Sequence, residues 1–309
     1  MLVNRRLPFP ISTWLILLFS SAGWAQKQGP TDTTALFQRI QLAPESVFTL
    51  FREAGMQPVN RALTPRQKEK VRKAFERLPP VHQRLLTQHL HSISFMDNMP
   101  NTALTSLLDL GSESKMFNIT FRAGLLDETI TEWATGKENT CFEPTTNGLY
   151  RVRVEGGNLD AIVYVLLHEA THIVDAVLNI TPHPAETQAV VEPTRFTKGV
   201  WQTTNVPDHT YRDSLLERTR FRSGRPMPIT LAPAVYRTLS TTPFPSLYAM
   251  AAWSEDIAEL ATIYHLTAQL NQPFYVVVTK DQVELARFEP MKSKRVKQRL
   301  KQLTIFYTK

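Results

Sequence analysis

Two periodicities alternate along the chain. Val71, Ala74, Phe75 and Leu78 recur at i, i+3, i+4 and i+7, which predicts a surface helix ending at Pro79-Pro80. Thr64-Pro65-Arg66-Gln67 supplies its capping box, with proline at the first helical position. A second, short helix is expected from Val81 to His91. The period then drops to two in His91–Phe95, Met116–Phe121 and Leu149–Glu155, the pattern of strands. In the last of these Val152 and Val154 share one face and Arg151 and Arg153 the other. Gly156-Gly157 closes it, and Asn158 is a candidate N-cap for a helix from Leu159 to about Leu178. That helix is apolar nearly all round (Ala161, Ile162, Val163, Val165, Leu166, Leu167), so it is expected to be buried. Residues 180–247 are rich in proline, threonine and arginine and have little periodicity, which predicts long loops with short helices. A helix is expected again from Ala249 to Leu270, then a short β run from Phe274 to Val278. Val296, Leu300 and Leu303 mark a closing amphipathic helix.

The first 25 residues follow neither pattern. Arg5 and Arg6 precede an apolar run from Ile11 to Ala22, and Gly23-Trp24-Ala25 offers small residues at a cleavage site. This reads as a signal peptide cut before Gln26, and hence as a secreted or periplasmic protein. The domain reading is therefore 1–25 signal peptide, 26–90 N-terminal helical segment and 91–309 main domain. Removing the signal peptide takes away two arginines and no acid, lowering the formal charge from +7 to +5. Apolar residues make up 42% and charged residues 20% of the 309, which excludes a mostly disordered chain and a polytopic membrane protein. The single cysteine, Cys141, excludes an intrachain disulfide, so a core or a metal must hold the fold.

Chemistry concentrates in the buried helix. His168-Glu169-Ala-Thr-His172 is an H-E-x-x-H motif. Histidines at i and i+4 share one helical face, so both imidazoles can bind one Zn²⁺. Glu169 beside them can take a proton from metal-bound water. Charged and imidazole groups in an otherwise apolar buried helix are costly unless something compensates them, and zinc does so. A catalytic zinc needs a third protein ligand and an open position. The metzincin arrangement fails, because Asp175 and Leu178 stand where it requires glycine and a ligand. Ser254-Glu255-Asp256-Ile257-Ala258-Glu259 offers an alternative, with Glu255 and Glu259 at i and i+4. One ligates the metal, and the other accepts a hydrogen bond from a ligand histidine. His183, His209 and His265 are competing ligands. Asp175, three residues after His172, is a candidate to support a ligand.

These two segments together resemble the gluzincin metallopeptidases. They are closest to the group that includes the catalytic domain of anthrax lethal factor, with its HExxHxxD motif and a downstream E-x-x-A-E. The resemblance covers about 165–178 and 245–265. It implies that Glu255 is the metal ligand and Glu259 the supporting residue. It also implies that Tyr248, seven residues before Glu255, stabilises the oxyanion. The chain departs from the group at Asp256 and Ile257, where that group carries aromatics. The expected fold is α+β and zincin-like, with two lobes. A mostly antiparallel sheet packs on the HExxH helix, and a mainly helical second lobe brings in Glu255. The expected activity is zinc-dependent hydrolysis of peptide bonds in a protein or peptide substrate. The alternatives are a protein that retains zinc without catalysis, and a zinc hydrolase of a non-peptide amide such as a cell-wall linkage.

Other signals are weaker. The strand Leu149–Glu155 is a candidate edge for holding an extended peptide. Trp201 and Tyr211 are candidates to line a cleft or anchor the long loop segment. Arg218, Arg220, Arg222 and Arg225 read mainly as a solvated loop. Lys292, Lys294, Arg295, Lys297, Arg299 and Lys301 put six cations on the last helix, mainly a solvated face and otherwise a contact for anionic envelope surfaces. No nucleic-acid-binding motif accompanies them. Asn118-Ile-Thr and Asn179-Ile-Thr have the form of glycosylation sequons.

Overall fold

Capping and turn chemistry fix the elements locally. The computed structural model describes residues 34–108, 111, 115–146, 148–184 and 191–308. The expected signal peptide, 1–25, lies outside them. The short helices α1 (Thr34–Phe37) and α2 (Glu45–Glu53) precede β1 (Val59–Asn60). In α3 (Pro65–Glu76) the expected capping box is formed: Gln67 N donates to Thr64 Oγ1 at 3.3 Å and Thr64 N to Gln67 Oε1 at 3.1 Å. Next come α4 (Pro80–His89), β2 (Leu90–Asp97), β3 (Ala103–Leu108) and β4 (Met116–Arg122). A second capping box, Thr129 with Glu132, starts α5 (Ile130–Asn139). The strands β5 (Phe142–Glu143) and β6 (Tyr150–Glu155) lead to α6 (Ala161–Leu178). The α6 N-cap is Asp160, whose carboxylate pairs with Lys70 at 2.8 Å, and not Asn158.

Residues 191–247 hold β7 (Trp201–Thr203), β8 (Val206–Pro207), α7 (Arg220–Ser223), β9 (Met227–Pro228) and α8 (Ala232–Leu239), with 3-10 turns at His209–Tyr211, Leu216–Arg218 and Ile229–Leu231. The helix expected from Ala249 divides in two. A 3-10 turn spans Tyr248–Met250, and α9 runs from Trp253 to Ala268. The run near Phe274 is one arm of a hairpin, β10 (Tyr275–Lys280) with β11 (Val283–Phe288). Its two-residue turn places Asp281 and Gln282 at φ 49° and 67°, the type I′ form that matches strand twist. The chain closes with α10 (Lys294–Arg299) and a 3-10 stretch, Leu300–Tyr307.

The architecture is mixed α+β with several small sheets. One sheet has the order β1-β2-β4-β3 and another β11-β10-β6. Pairing is mostly antiparallel, as expected, but β2 and β4 run parallel because β3 folds back onto the outer edge of β4. Asn118 lies fully buried on β4 and donates to Ser92 Oγ at 2.9 Å, so its sequon cannot accept a glycan in the folded chain. Asn179 is exposed in the left-handed C-cap of α6.

The core is built around α6, fourteen of whose eighteen residues are buried. Its length and composition would suit a membrane span, yet protein covers 72% of it. Leu166 and Leu167 share a cluster with Val71 and Phe75 of α3, Leu86 of α4, Ile93 of β2 and Ile119 of β4. Each such buried side chain contributes about 1.5–3 kcal/mol. The helices up to residue 90 thus form part of the same core, and the described residues fall in one unit, Thr31–Lys309. Val296, Leu303 and Phe306 dock the C-terminus against Val81, Val174, Ile257 and Leu260. Of the six cations expected on a solvated face, Arg299 is an exception. It is buried and pairs with Asp256, with Nη1 donating to Oδ1 at 2.8 Å and Nη2 to Oδ2 at 2.6 Å.

Candidate metal centre

Packing of α6 against α9 sets the two motifs face to face. His168 and His172 lie one turn apart on α6, and Glu255 projects from the first turn of α9. Glu255 Oε2 stands 3.0 Å from His168 Nε2 and 3.6 Å from His172 Nε2. The three donor atoms lie within 4.8 Å of one another, so these residues can hold a metal ion. Ligand atoms about 2.1 Å from a tetrahedral ion lie about 3.4 Å apart, so two of these separations bracket the requirement. Two imidazoles and one carboxylate suit a first-row divalent metal.

The surroundings fix this donor set. Glu259, one turn beyond Glu255, places Oε1 at 3.1 Å from His168 Nδ1, at an angle poorer than that of a hydrogen bond. Its carboxylate accepts from Tyr164 Oη at 2.9 Å and from Ser246 Oγ at 2.6 Å, and Lys137 Nζ lies 3.8 Å away. Burial alone would raise the pKa of Glu259. Lys137, His168 and Ser246 outweigh it and bring it down to about 2. Burial likewise disfavours a charged His168, but the Glu255 hydrogen bond and the close Glu255 and Glu259 carboxylates carry its pKa up to about 9. His172 also moves up, through the charge and hydrogen bond of Glu255 and the charge of Glu169, against its burial and the charge of His168. Glu255 is held well below the carboxylate range by the two histidines, despite burial. The pocket thus concentrates negative potential at the point where the donors converge, as a cation site requires.

Asp256, where the resembling group has an aromatic residue, is an anchor. Its carboxylate receives Arg299 and also Trp201 Nε1, the latter at 2.8 Å. Because Asp256 follows Glu255 directly, this buried cluster fixes the rotation of the turn that presents Glu255.

Glu169 lies beside the ligands, close enough for its charge to act on His172, and its carboxylate is held from the β3 side. Thr105 Oγ1 donates to Glu169 Oε2 at 2.7 Å. The expected edge strand Leu149–Glu155 is indeed the edge strand β6, but of the other sheet. The edge strand joined to Glu169 is β3. A cavity of about 310 Å³ opens here, lined by Thr102, Ala103, Lys137, His168, Glu169 and Tyr248 among others. The Tyr248 ring stacks on His168 with centroids 5.7 Å apart. Burial first, and then the charges of Glu255, Glu169 and Glu259, raise its pKa, so its hydroxyl stays protonated and can donate.

The remaining sequence candidates lie elsewhere. Asp175 is fully committed to the loop after α6, accepting from Thr181 N and Oγ1, both at 2.6 Å, with His183 at 3.4 Å. It has no hydrogen bond to His172 among the described residues. His183 is thus engaged at Asp175, His209 is 89% exposed, and His265 bonds Tyr307 Oη and the Arg77 carbonyl. None of the three joins the metal donors. Arg222 is not a solvated loop cation. It is largely buried and donates to the Asn205 and Met250 carbonyls and to Glu217. Trp201 anchors its loop to Asp256, and Tyr211 packs on Phe244 beneath the Arg295 guanidinium. Lys137, Trp133 and Thr105 escaped the sequence reading. The Thr129-x-x-Glu132 capping box marks the helix that carries Lys137, but nothing in its own sequence aims it at the site.

Comparison of the chain with protein-family models, curated proteins and solved structures finds no match.

Proposed function

We propose that this protein is a zinc-dependent metallopeptidase of the zincin type, exported from the cytoplasm and hydrolysing peptide bonds. The observation that carries the reading is the convergence of His168, His172 and Glu255 beside Glu169 at the wall of an open cavity. Zinc bound there supplies a Lewis acid for the scissile carbonyl and lowers the pKa of water. The resemblance to gluzincins supports the assignment of Glu255 as third ligand. The packing of α6, α9 and the β3 edge supports the zincin arrangement of a sheet and two metal-bearing helices.

The chain's own residues then divide the work. Glu169 takes the proton of the attacking water and returns it to the leaving amine, while Thr105 orients its carboxylate. The Tyr248 hydroxyl donates to the oxyanion that develops on the carbonyl. Glu259 holds the orientation of the His168 ring from its Nδ1 side. β3, as an outer strand, has main-chain groups to pair with an extended peptide laid beside Glu169. A library of unrelated peptides incubated with zinc-loaded protein tests this. Wild type should cleave, EDTA should stop it, and Glu169→Gln should lose about 10²–10⁴ in rate while keeping its zinc. Absence of cleavage by zinc-loaded wild type, or full activity in Glu169→Gln, would overturn the assignment.

A further inference from the structure

Among the described residues the cavity beside the metal donors holds one cation, Lys137, to which the mechanism above gives no contact with the substrate. Lys137 lies on the last turn of α5, and its side chain is 23% exposed. Its ammonium sits 3.6 Å from the centre of the Tyr248 ring, with Trp133 at 5.3 Å and Phe221 at 5.9 Å. These three aromatic residues also line the cavity, so the ammonium is framed by ring faces and opens into the same space as Glu169. An ammonium has three donors. Among the described residues no acceptor lies within hydrogen-bonding distance. Its nearest carboxylate, Glu259, is 3.8 Å away, and Glu259 already receives Tyr164 and Ser246 and faces His168. A largely buried cation with donors to spare is costly unless a ligand completes it. The groups it suits best are anionic oxygens, because charge-assisted hydrogen bonds are the strong ones.

We propose that Lys137 is a specificity-determining residue that binds a carboxylate of the substrate next to the scissile bond. This rests on the peptidase reading and narrows its substrates to peptides with a carboxylate at that subsite. The carboxylate is either an Asp or Glu side chain or the C-terminal group. The aromatic frame favours a side chain whose stem can lie against ring faces. Glu169, the acidic residue that lines the same cavity, repels a second anion, so one carboxylate is read there.

Binding tests the proposal without turnover. Hydroxamate-capped peptides are titrated by calorimetry into zinc-loaded protein as matched pairs: aspartate against asparagine, and free C-terminus against amide. One carboxylate member should bind ten-fold or more tighter than its neutral twin, as a charge-assisted hydrogen bond allows. Which pair shows the difference identifies the source. Lys137→Met should erase the difference within the pair, Lys137→Arg should keep most of it, and Lys137→Glu should reverse it. Because each readout is a ratio within one variant of checked zinc content, general damage to the site cancels. Equal binding of both twins in wild type, binding of neither, or a preference that survives Lys137→Met overturns the proposal. The peptidase reading fails separately: preferential binding with no peptide cleaved removes the activity but leaves the subsite.

Discussion

Removing the Arg299 side chain should cost the fold more than any change on the exposed face of the last helix. Arg299 and Asp256 are both almost entirely buried, at 5% and 0% side-chain exposure. The guanidinium makes two hydrogen bonds to the carboxylate and a third to the Pro243 carbonyl at 3.0 Å, and it lies 4.5 Å from the Phe196 ring. In Arg299→Ala the Asp256 carboxylate keeps only Trp201 Nε1 as a side-chain partner, inside a core that excludes water. Leaving one member of a buried ion pair alone costs about 3–5 kcal/mol. That is a large share of the 5–15 kcal/mol by which domains are stable. Urea unfolding should show the midpoint falling by more than 1 M at an unchanged slope, taking a slope of about 1–3 kcal/mol/M. Asp256→Asn should be damaging alone. The double variant Arg299→Met/Asp256→Asn should be less damaging than the two single losses added, because the second change no longer orphans a charge. Lys297→Ala, an exposed neighbour on α10, should stay within about 0.5 kcal/mol of wild type. If Arg299→Ala behaves like Lys297→Ala, the account of how α9 is anchored is wrong.

Three further outcomes follow from the site and its surroundings. Glu259→Gln should weaken zinc binding about 10–100-fold in a competition titration with a chelator, since the group orienting His168 loses its charge; unchanged affinity would remove its supporting role. Tyr248→Phe should lower kcat by about 10²–10³ at constant zinc content, whereas an effect confined to KM would assign the ring to substrate packing alone. Burial pushes the Glu138 carboxyl from 4.5 up to about 6, against the hydroxyl of Tyr236 and the charge of Lys137. The folded state therefore binds this proton more tightly than the unfolded state. The stabilisation is present below about pH 4.5 and is lost as pH rises through 6, an amount of about 2 kcal/mol. Wild type should lose that much relative to Glu138→Gln between pH 4.5 and 7 in unfolding titrations, and parallel pH profiles would contradict the shift.

What was legible in the sequence is what rests on local rules. The capping box at Thr64, the buried apolar helix around His168 and the i, i+4 pairs of both metal motifs need only helical spacing to be read. β3 was missed because Ala103–Leu108 lies at a sheet edge with partly exposed positions on both faces, so it has no alternation to detect. The β10–β11 turn was missed because Asp281-Gln282 lacks the glycine that usually announces a type I′ turn. Arg299 and Arg222 read as solvated cations because their buried partners lie 43 and 28 residues away, at Asp256 and at the Met250 carbonyl. Asp175 shows the opposite error. Its spacing from His172 suggested a ligand partner, but the nearby Thr181 satisfies its carboxylate first. The metal donors themselves needed one long-range fact that spacing cannot supply, the packing of α9 on α6.

The claim on which the rest depends is that His168, His172 and Glu255 form one metal centre. Titration of metal-free protein with Zn²⁺, followed by metal analysis of the dialysed product, tests it most directly. Wild type should retain one zinc per chain, and Glu255→Ala, His168→Ala and His172→Ala should each lose it while remaining folded by circular dichroism. A wild type that retains no zinc, or a Glu255→Ala variant that keeps a full equivalent at wild-type affinity, would contradict the account.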